Sequence, residues 1–333
     1  MTRKPFMPEI LARIAPRLGA EVVLAPPGFV GRIRFPNGRT SYFWDNKFNL
    51  NPISSVKLAS DKGYTSYFLR ELGYPTPEEC LFFRERFRKH VAGAEGVDGA
   101  VAFADRLGWP VVVKPAGLSQ GRLVAVVHTE SELRTWAHQI FAKERVMVVQ
   151  QYRAGADYRL VVLDGRVLSA YERVPLAVTG DGIATVRELL ETKQREFATT
   201  GRDTVIPLED PRIGMRLARR GLTLDSIIAS GATERLIDIA NLSLGGTSRE
   251  VTSTLHPAWV ALAAHIAADI GLRFCGIDIL TNGELRAVPA DYTIIEINSA
   301  PGLDHYGSWG PEHEAAVDEL YLEVLRAIAA PPA

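Results

Sequence analysis

Cysteine is scarce in this sequence. Cys80 and Cys275 are the only two among 333 residues, far apart and without a metal-ligand partner at short spacing. That excludes a disulfide scaffold and a zinc ribbon, and both residues read as buried thiols of a reducing cytosol. Excess charge is lacking too: 38 Lys plus Arg stand against 39 Asp plus Glu. No global field gathers nucleic acid or an anionic membrane, so any polyanion must be met by a local site. Long apolar runs are missing as well. The first apolar stretch is broken by Glu9, Arg13, Arg17 and Glu21, unlike a signal peptide, and the segment 259–272 contains His265 and Asp269 and is too short to span a bilayer. The expectation is a soluble, cytoplasmic protein that binds neither nucleic acid nor membrane. Internal repeats, low-complexity linkers and Ser-His or Cys-His nucleophile patterns are also absent.

What is present is ordinary globular composition, 47% hydrophobic and 23% charged, with length for two or three packed units. Residues 1–56 mix short β-type runs such as 31–35 with the turns Pro26-Pro27-Gly28 and Pro36-Asn37-Gly38, and read as a small, incomplete lobe. Asp61 is placed to cap a helix over 62–72, with Tyr64, Tyr67, Phe68 and Leu72 near one face and Gly73 and Pro75 as its stop. From 101 onward the order is helix, strand, glycine-bearing turn, strand. The apolar run 146–150 reads as a buried strand, and Asp164-Gly165 joins two further strands as a hairpin. Residues 186–230 read as helical, with an arginine patch at Arg212, Arg216, Arg219 and Arg220, and another helix covers 257–270.

The chemistry concentrates near the end. Glu296 and Asn298 are two apart in a β-type run, so they share a sheet face while Ile295 and Ile297 point into the core. Asp278 lies between Ile277 and Ile279, where a charge without a partner is costly. Hard oxygen donors of this kind suit Mg²⁺ shared with substrate phosphates. Lys114 ends another strand and is followed by a loop over 115–122 whose glycines can wrap phosphate oxygens. It is not a Walker sequence, because the Gly-Lys-Ser/Thr step is missing.

The blocks VVVKPAGLSQGRL, VVQQYRAGADYRLVVLDGRVLSAYERVP, TGDGIATVREL, RRGLTLDSI, NLSLGGTS, HPAWVALAAHIAADIGLRFCGIDIL and IIEINSAPGLDHY occur in this order. Together they resemble an ATP-grasp carboxylate–amine ligase, most of all the ATP-grasp part of cyanophycin synthetase, and more distantly glutathione synthetase and D-alanine–D-alanine ligase. The likeness runs from about 57 to 306. It implies an α+β fold with two α+β lobes gripping ATP: a shortened N-terminal lobe at 1–56, a linker helix at 57–100, a small lobe with the phosphate loop at 101–155, and a large lobe with the metal site and substrate loops at 156–333.

The resemblance further implies that Lys62 and Lys114 contact ATP phosphates, with Ser119, Gln120 and Gly121 folding over them. Gln150, Gln151, Tyr152 and Arg153 would form the hinge beside adenine, and Asp157 would accept ribose hydroxyls. Arg159 would sit near the reacting phosphate, with Lys114 and Asn298 sharing in catalysis. Asp278, Glu296 and Asn298 would hold two Mg²⁺ ions, with Mn²⁺ as an alternative. The loop carrying Asn241, Gly245, Gly246 and Thr247 would approach the acyl-phosphate and substrate, joined by Arg249 and Asp304.

The chain departs from that family at Asp238 and Asp304, where the family tends to be basic, and in a less glycine-rich phosphate loop. It carries no Mur-ligase-like half, so the likeness does not reach the complete polymerase. The implied activity is amide formation from amino-acid or small-peptide substrates through an acyl-phosphate, releasing ADP and phosphate. A small-molecule kinase, a non-catalytic nucleotide-binding subunit and a homodimer stay open at this level.

Overall fold

The computed structural model describes residues 6–118, 121–200, 202, 204–303, 307 and 310–330. Within it, β5 (Glu79–Phe83), β6 (Val111–Pro115), β7 (Ala125–Val127) and β8 (Val146–Gln151) build a four-stranded sheet of order β5-β8-β6-β7. A second sheet holds β9 (Ala156–Leu163), β10 (Arg166–Val174), β13 (Thr247–Glu250), β14 (Phe274–Thr281) and β15 (Tyr292–Asn298) in the order β13-β10-β9-β14-β15. All pairings in both sheets are antiparallel, and helices cover them, which is an α+β architecture. Residues 152–155 join β8 directly to β9, so one short hinge connects the sheets.

Local sequence explains the central hairpin. Asp164 and Gly165 both adopt positive φ, 47° and 75°, as a tight turn matching the right-handed twist of its strands requires. Beyond Arg159, strand β9 is apolar on both faces because both are covered. Tyr158, Leu160 and Val162 pack in one core with α9 (Pro257–Asp269), while Val161 and Leu163 join α1 (Phe6–Ile14) and the last helix, α10 (Pro311–Ala329), in another. Each fully buried Leu, Ile or Val of this kind contributes roughly 1.5–3 kcal/mol.

Residues before 51 form α1 and a four-stranded meander, β1 (Glu21–Ala25), β2 (Val30–Arg34), β3 (Thr40–Trp44) and β4 (Lys47–Phe48). This region does not keep a core to itself. Met7, Ile10, Leu11 and Ile14 share one with Tyr321, Val324, Leu325 and Ile328, and Arg13 pairs with Asp318 at 2.7 Å on the rim.

Several expectations are met, and others are corrected. Asp61 caps α3 (Lys62–Glu71) by accepting from the Tyr64 amide. Tyr64, Tyr67, Phe68 and Leu72, however, are exposed, and α3 instead buries Leu69 together with Thr65 and Ser66. Cys80 is exposed on the edge strand β5, whereas Cys275 is buried. Among the described residues of 186–230, only α7 (Val186–Thr199) and α8 (Pro211–Arg219) are helical. Pro207 lies between them and Pro211 opens α8 at its first position, and after α8 comes Gly221 at φ 69°, residues that interrupt, start or end a helix. A two-stranded sheet of β11 (Ala177–Thr179) and β12 (Thr233–Arg235) completes this unit. Strict alternation also fails in β15, where a register shift opposite Asp278 and Ile279 leaves Ile294 and Ile297 in the core. Ile295 instead lines the cleft described below, because a bulge inserts an extra residue and turns the following side chains over.

No helix among the described residues is long and apolar enough to cross a membrane.

Candidate active site

A cleft of about 950 Å³ opens between the two sheets. Its floor is set by strand register. Tyr171, Arg159, Asp278 and Glu296 are successive cross-strand partners over β10, β9, β14 and β15, and Arg173, Asp157 and Leu280 form the adjacent row. Opposed residues in an antiparallel ladder share a face, so the register alone gathers these charges. Arg159 grips Asp278 with both Nε and Nη2 at 2.7 Å. Arg173 donates to Asp157 at 2.6 Å and to Asp278 at 2.9 Å. Asn298 reaches Asp278 at 3.5 Å.

The four buried charges balance, and their titration follows from how they pair. Burial pushes Asp278 up, but Arg159 and then Arg173 outweigh it and hold its carboxyl below the usual range. Burial lifts Asp157 to about 6, helped by Asp278 and opposed by Arg173. Arg159 stays charged: burial opposes the proton, and Asp278 more than offsets it.

The opposite wall carries Lys114 on β6, fully buried, its pKa lowered first by desolvation and supported by Glu79 and Glu296. Its Nζ lies 3.6 Å from Glu79 Oε2. Lys62, in the first turn of α3, lies 3.4 Å from Glu296 and donates to the Leu118 carbonyl at 3.0 Å. One ammonium thus ties the base of the 116–122 loop to the acidic strand. The far end of that loop is tied as well: Arg212 donates to the carbonyls of Gly121 and Val124, each at 2.9 Å. Gly121 sits so close to Asn241 that an added Cβ would come within 2.4 Å of its amide nitrogen.

Of the residues expected at the site, the cleft is lined by Lys62, Lys114, Gly121, Gln150, Gln151, Tyr152, Arg153, Asp157, Arg159, Asn241, Asp278, Glu296 and Asn298. Ser119, Gln120 and Asp304 lie outside the described residues. Gly245, Gly246, Thr247 and Arg249 are not among the described lining residues; Arg249 pairs with Glu172 at 2.6 Å on the neighbouring strand. The arginine patch is also spent internally. Arg212 pairs with Asp210, Arg216 and Arg219 with Asp238, and Arg220 with Glu234, so Asp238 faces arginines. Sequence reasoning passed over Arg173 and Glu79. A signal for Arg173 was its alternation with Tyr171 after the Asp-Gly turn; Glu79 has none beyond its place in a short β-type run.

Residues 89–181 match the model of the RimK-like ATP-grasp domain. In three dimensions, 92% of the chain superposes on 42% of a bifunctional glutathione synthetase from Pasteurella multocida, with a TM-score of 0.56 and 22% identity. The chain carries the ATP-grasp fold. This ATP-grasp chain is 31% identical over 263 residues to the cyanophycin synthetase of Geminocystis herdmanii, a match covering 77% of the chain. It is also 31% identical over 257 residues to the glutathione biosynthesis bifunctional protein GshAB of Streptococcus mutans, covering 73% of the chain. The matches span only 29% and 32% of those relatives' own lengths.

Proposed function

We propose that this ATP-grasp chain is an ATP-dependent carboxylate–amine ligase. A carboxylate oxygen takes the γ-phosphoryl group of ATP, an amine attacks the acyl-phosphate, and an amide, ADP and phosphate leave. The observation that carries this reading is the convergence of Lys62 and Lys114 on the wall bearing Glu296, Asn298 and the Arg159–Asp278 pair. Two kinds of charge, cationic for phosphates and hard oxygen for a metal, meet across one cleft.

The donor chemistry fits Mg²⁺ or Mn²⁺ shared with phosphates. Glu296, about a third exposed, and Asn298 are the open donors, and Asp278 supplies charge behind them while its own oxygens are held by two guanidiniums. No three His, Cys, Asp or Glu side chains gather as a metal cluster among the described residues; Glu296 and Asn298 would hold the two proposed ions together with nucleotide phosphates. Metal held there would supply charge neutralisation at the migrating phosphoryl group. Lys114 and Lys62 hold that group by point charge, Arg159 stands at the reacting end, and fixed orientation replaces any covalent enzyme nucleophile. Asn241 and its loop are proposed to border the acyl-phosphate, with amino acids or small peptides as substrates and the cytoplasm as setting.

The test is ADP release screened over amino acids and dipeptides, with mass spectrometry of the products. Turnover that requires both a carboxylate and an amine is the expected result; turnover with a hydroxyl compound alone would make the chain a kinase instead.

Asp157, proposed to accept the ribose hydroxyls, supplies a pH signature. Its ionised form accepts hydroxyls more strongly than the protonated acid, which spends one oxygen as a donor, and its folded value of about 6 lies above the usual 3.8. Nucleotide affinity is therefore expected to fall as pH drops through about 6. Asp157→Asn should flatten that part of the profile; isothermal titration of ADP at several pH values checks it, and superimposable profiles would remove Asp157 from the ribose. The effect on stability has the opposite sign, since the folded state holds the proton more tightly and loses that advantage as pH rises from about 4 to about 6.

A further inference from the structure

Glu79 lies on β5 directly opposite Gln150 on β8, which is in turn opposite Val112 on β6. Its side chain is only 3% exposed. One oxygen, Oε2, accepts from Gln150 Nε2 at 2.6 Å and faces Lys114 Nζ at 3.6 Å. The other, Oε1, is buried without a hydrogen-bond partner. A half-satisfied buried carboxylate is costly, yet it stands behind Gln150, which lines the cleft together with the apolar Val112 and Val126 of its own sheet and Leu280 of the other. Apolar side chains offered from both sheets suit the faces of a flat ring.

A carboxylate only accepts hydrogen bonds. Whichever oxygen it offers, Gln150 has to turn its NH₂ toward Glu79, and that leaves the amide oxygen, a pure acceptor, for the cleft that Gln150 lines. We propose that Glu79 is a positioning residue for base specificity: by fixing the Gln150 amide it makes the cleft select a purine carrying a 6-amino donor and reject one carrying a 6-oxo acceptor. The proposal rests on the nucleotide reading above and adds the base. A donor at position 6 meets the Gln150 oxygen, whereas a 6-oxo group sets two acceptors against each other and leaves both unpaired, which is the more discriminating kind of mismatch.

The experiment is isothermal titration of ADP and IDP, each with Mg²⁺, against the wild type, Glu79→Gln, Gln150→Leu and the double variant. The wild type is expected to prefer ADP by roughly tenfold or more, the scale of one misdirected buried hydrogen bond. Glu79→Gln should reduce the ratio to within about threefold, since a neutral amide can present either end to Gln150 and so frees it to flip. In the Gln150→Leu background, Glu79→Gln should change the ratio no further, although it still weakens both nucleotides through Lys114. A merely structural Glu79 would lower both affinities and leave the ratio intact, and that result overturns the proposal. If Glu79→Gln does not fold, Gln150→Leu carries the test, and a wild-type ratio in it is equally fatal. Failure of the wild type to bind ADP at all would sink the nucleotide reading itself, whereas ADP binding with no preference over IDP would sink only this inference.

Discussion

Glu296→Gln is expected to cut ADP-forming turnover by roughly 10²–10³-fold, the scale of removing one fixed electrostatic stabiliser of a transition state, while leaving the fold in place. The substitution keeps volume and one oxygen donor but removes the charge that faces Lys62 at 3.4 Å. Stability should hardly move. Glu296 is about a third exposed, so its ion pair is worth no more than about 0–1 kcal/mol, and Lys62 keeps its bond to the Leu118 carbonyl. Steady-state kinetics beside urea denaturation separates the two outcomes. A folded variant retaining most of its turnover would take Glu296 out of the metal site.

Asp278→Ala is expected to do the reverse, striking the fold first. Asp278 is 2% exposed in its side chain, and both of its oxygens are engaged by Arg159 and Arg173, which are themselves 15% and 12% exposed. Deleting it leaves two buried guanidiniums with Asp157 beside Arg173 and only the more distant Glu296 for Arg159 among the described acids. Removing one partner of a buried ion network costs about 3–5 kcal/mol, a large share of a typical domain's stability. Replacing charges together costs less, so Arg159→Met combined with Asp278→Leu should recover a good part of the loss while remaining inactive. Urea midpoints of the three proteins check this. A single variant within about 1 kcal/mol of wild type would show that the network is not what holds these strands at the cleft. Acid has a related effect: because the folded Asp278 is held below 3.8, its stabilisation is present above that value and is lost as pH falls toward the folded one.

These two residues share one row of one sheet yet are expected to fail differently, because burial divides their roles. Glu296 opens on the cleft, where its charge is accessible to a ligand. Asp278 is enclosed and anchors arginines. For Asp278, therefore, we propose an anchoring role in addition to the ligand role that the resemblance implies.

Much of this was written locally in the chain. The Asp164-Gly165 turn, the cap at Asp61 and the apolar run of β8 depend on neighbours a few residues away, and each appears where its residues place it. The Glu-x-Asn spacing put Glu296 and Asn298 on one face because side chains alternate along a strand. The order of motifs likewise carried the ATP-grasp fold. Tertiary structure alone decided the rest. Arg159 and Asp278 are 119 residues apart, and only the β9–β14 register makes them partners; Arg173 joins them through the β9–β10 ladder. The bulge that sends Ile295 to the cleft, the exposure of Cys80 on a sheet edge and the burial of Glu79 behind Gln150 are likewise set by which strands lie side by side. Periodicity and capping act over one or two turns of chain and can be read from sequence, whereas pairing, burial and charge compensation belong to groups that become neighbours only on folding.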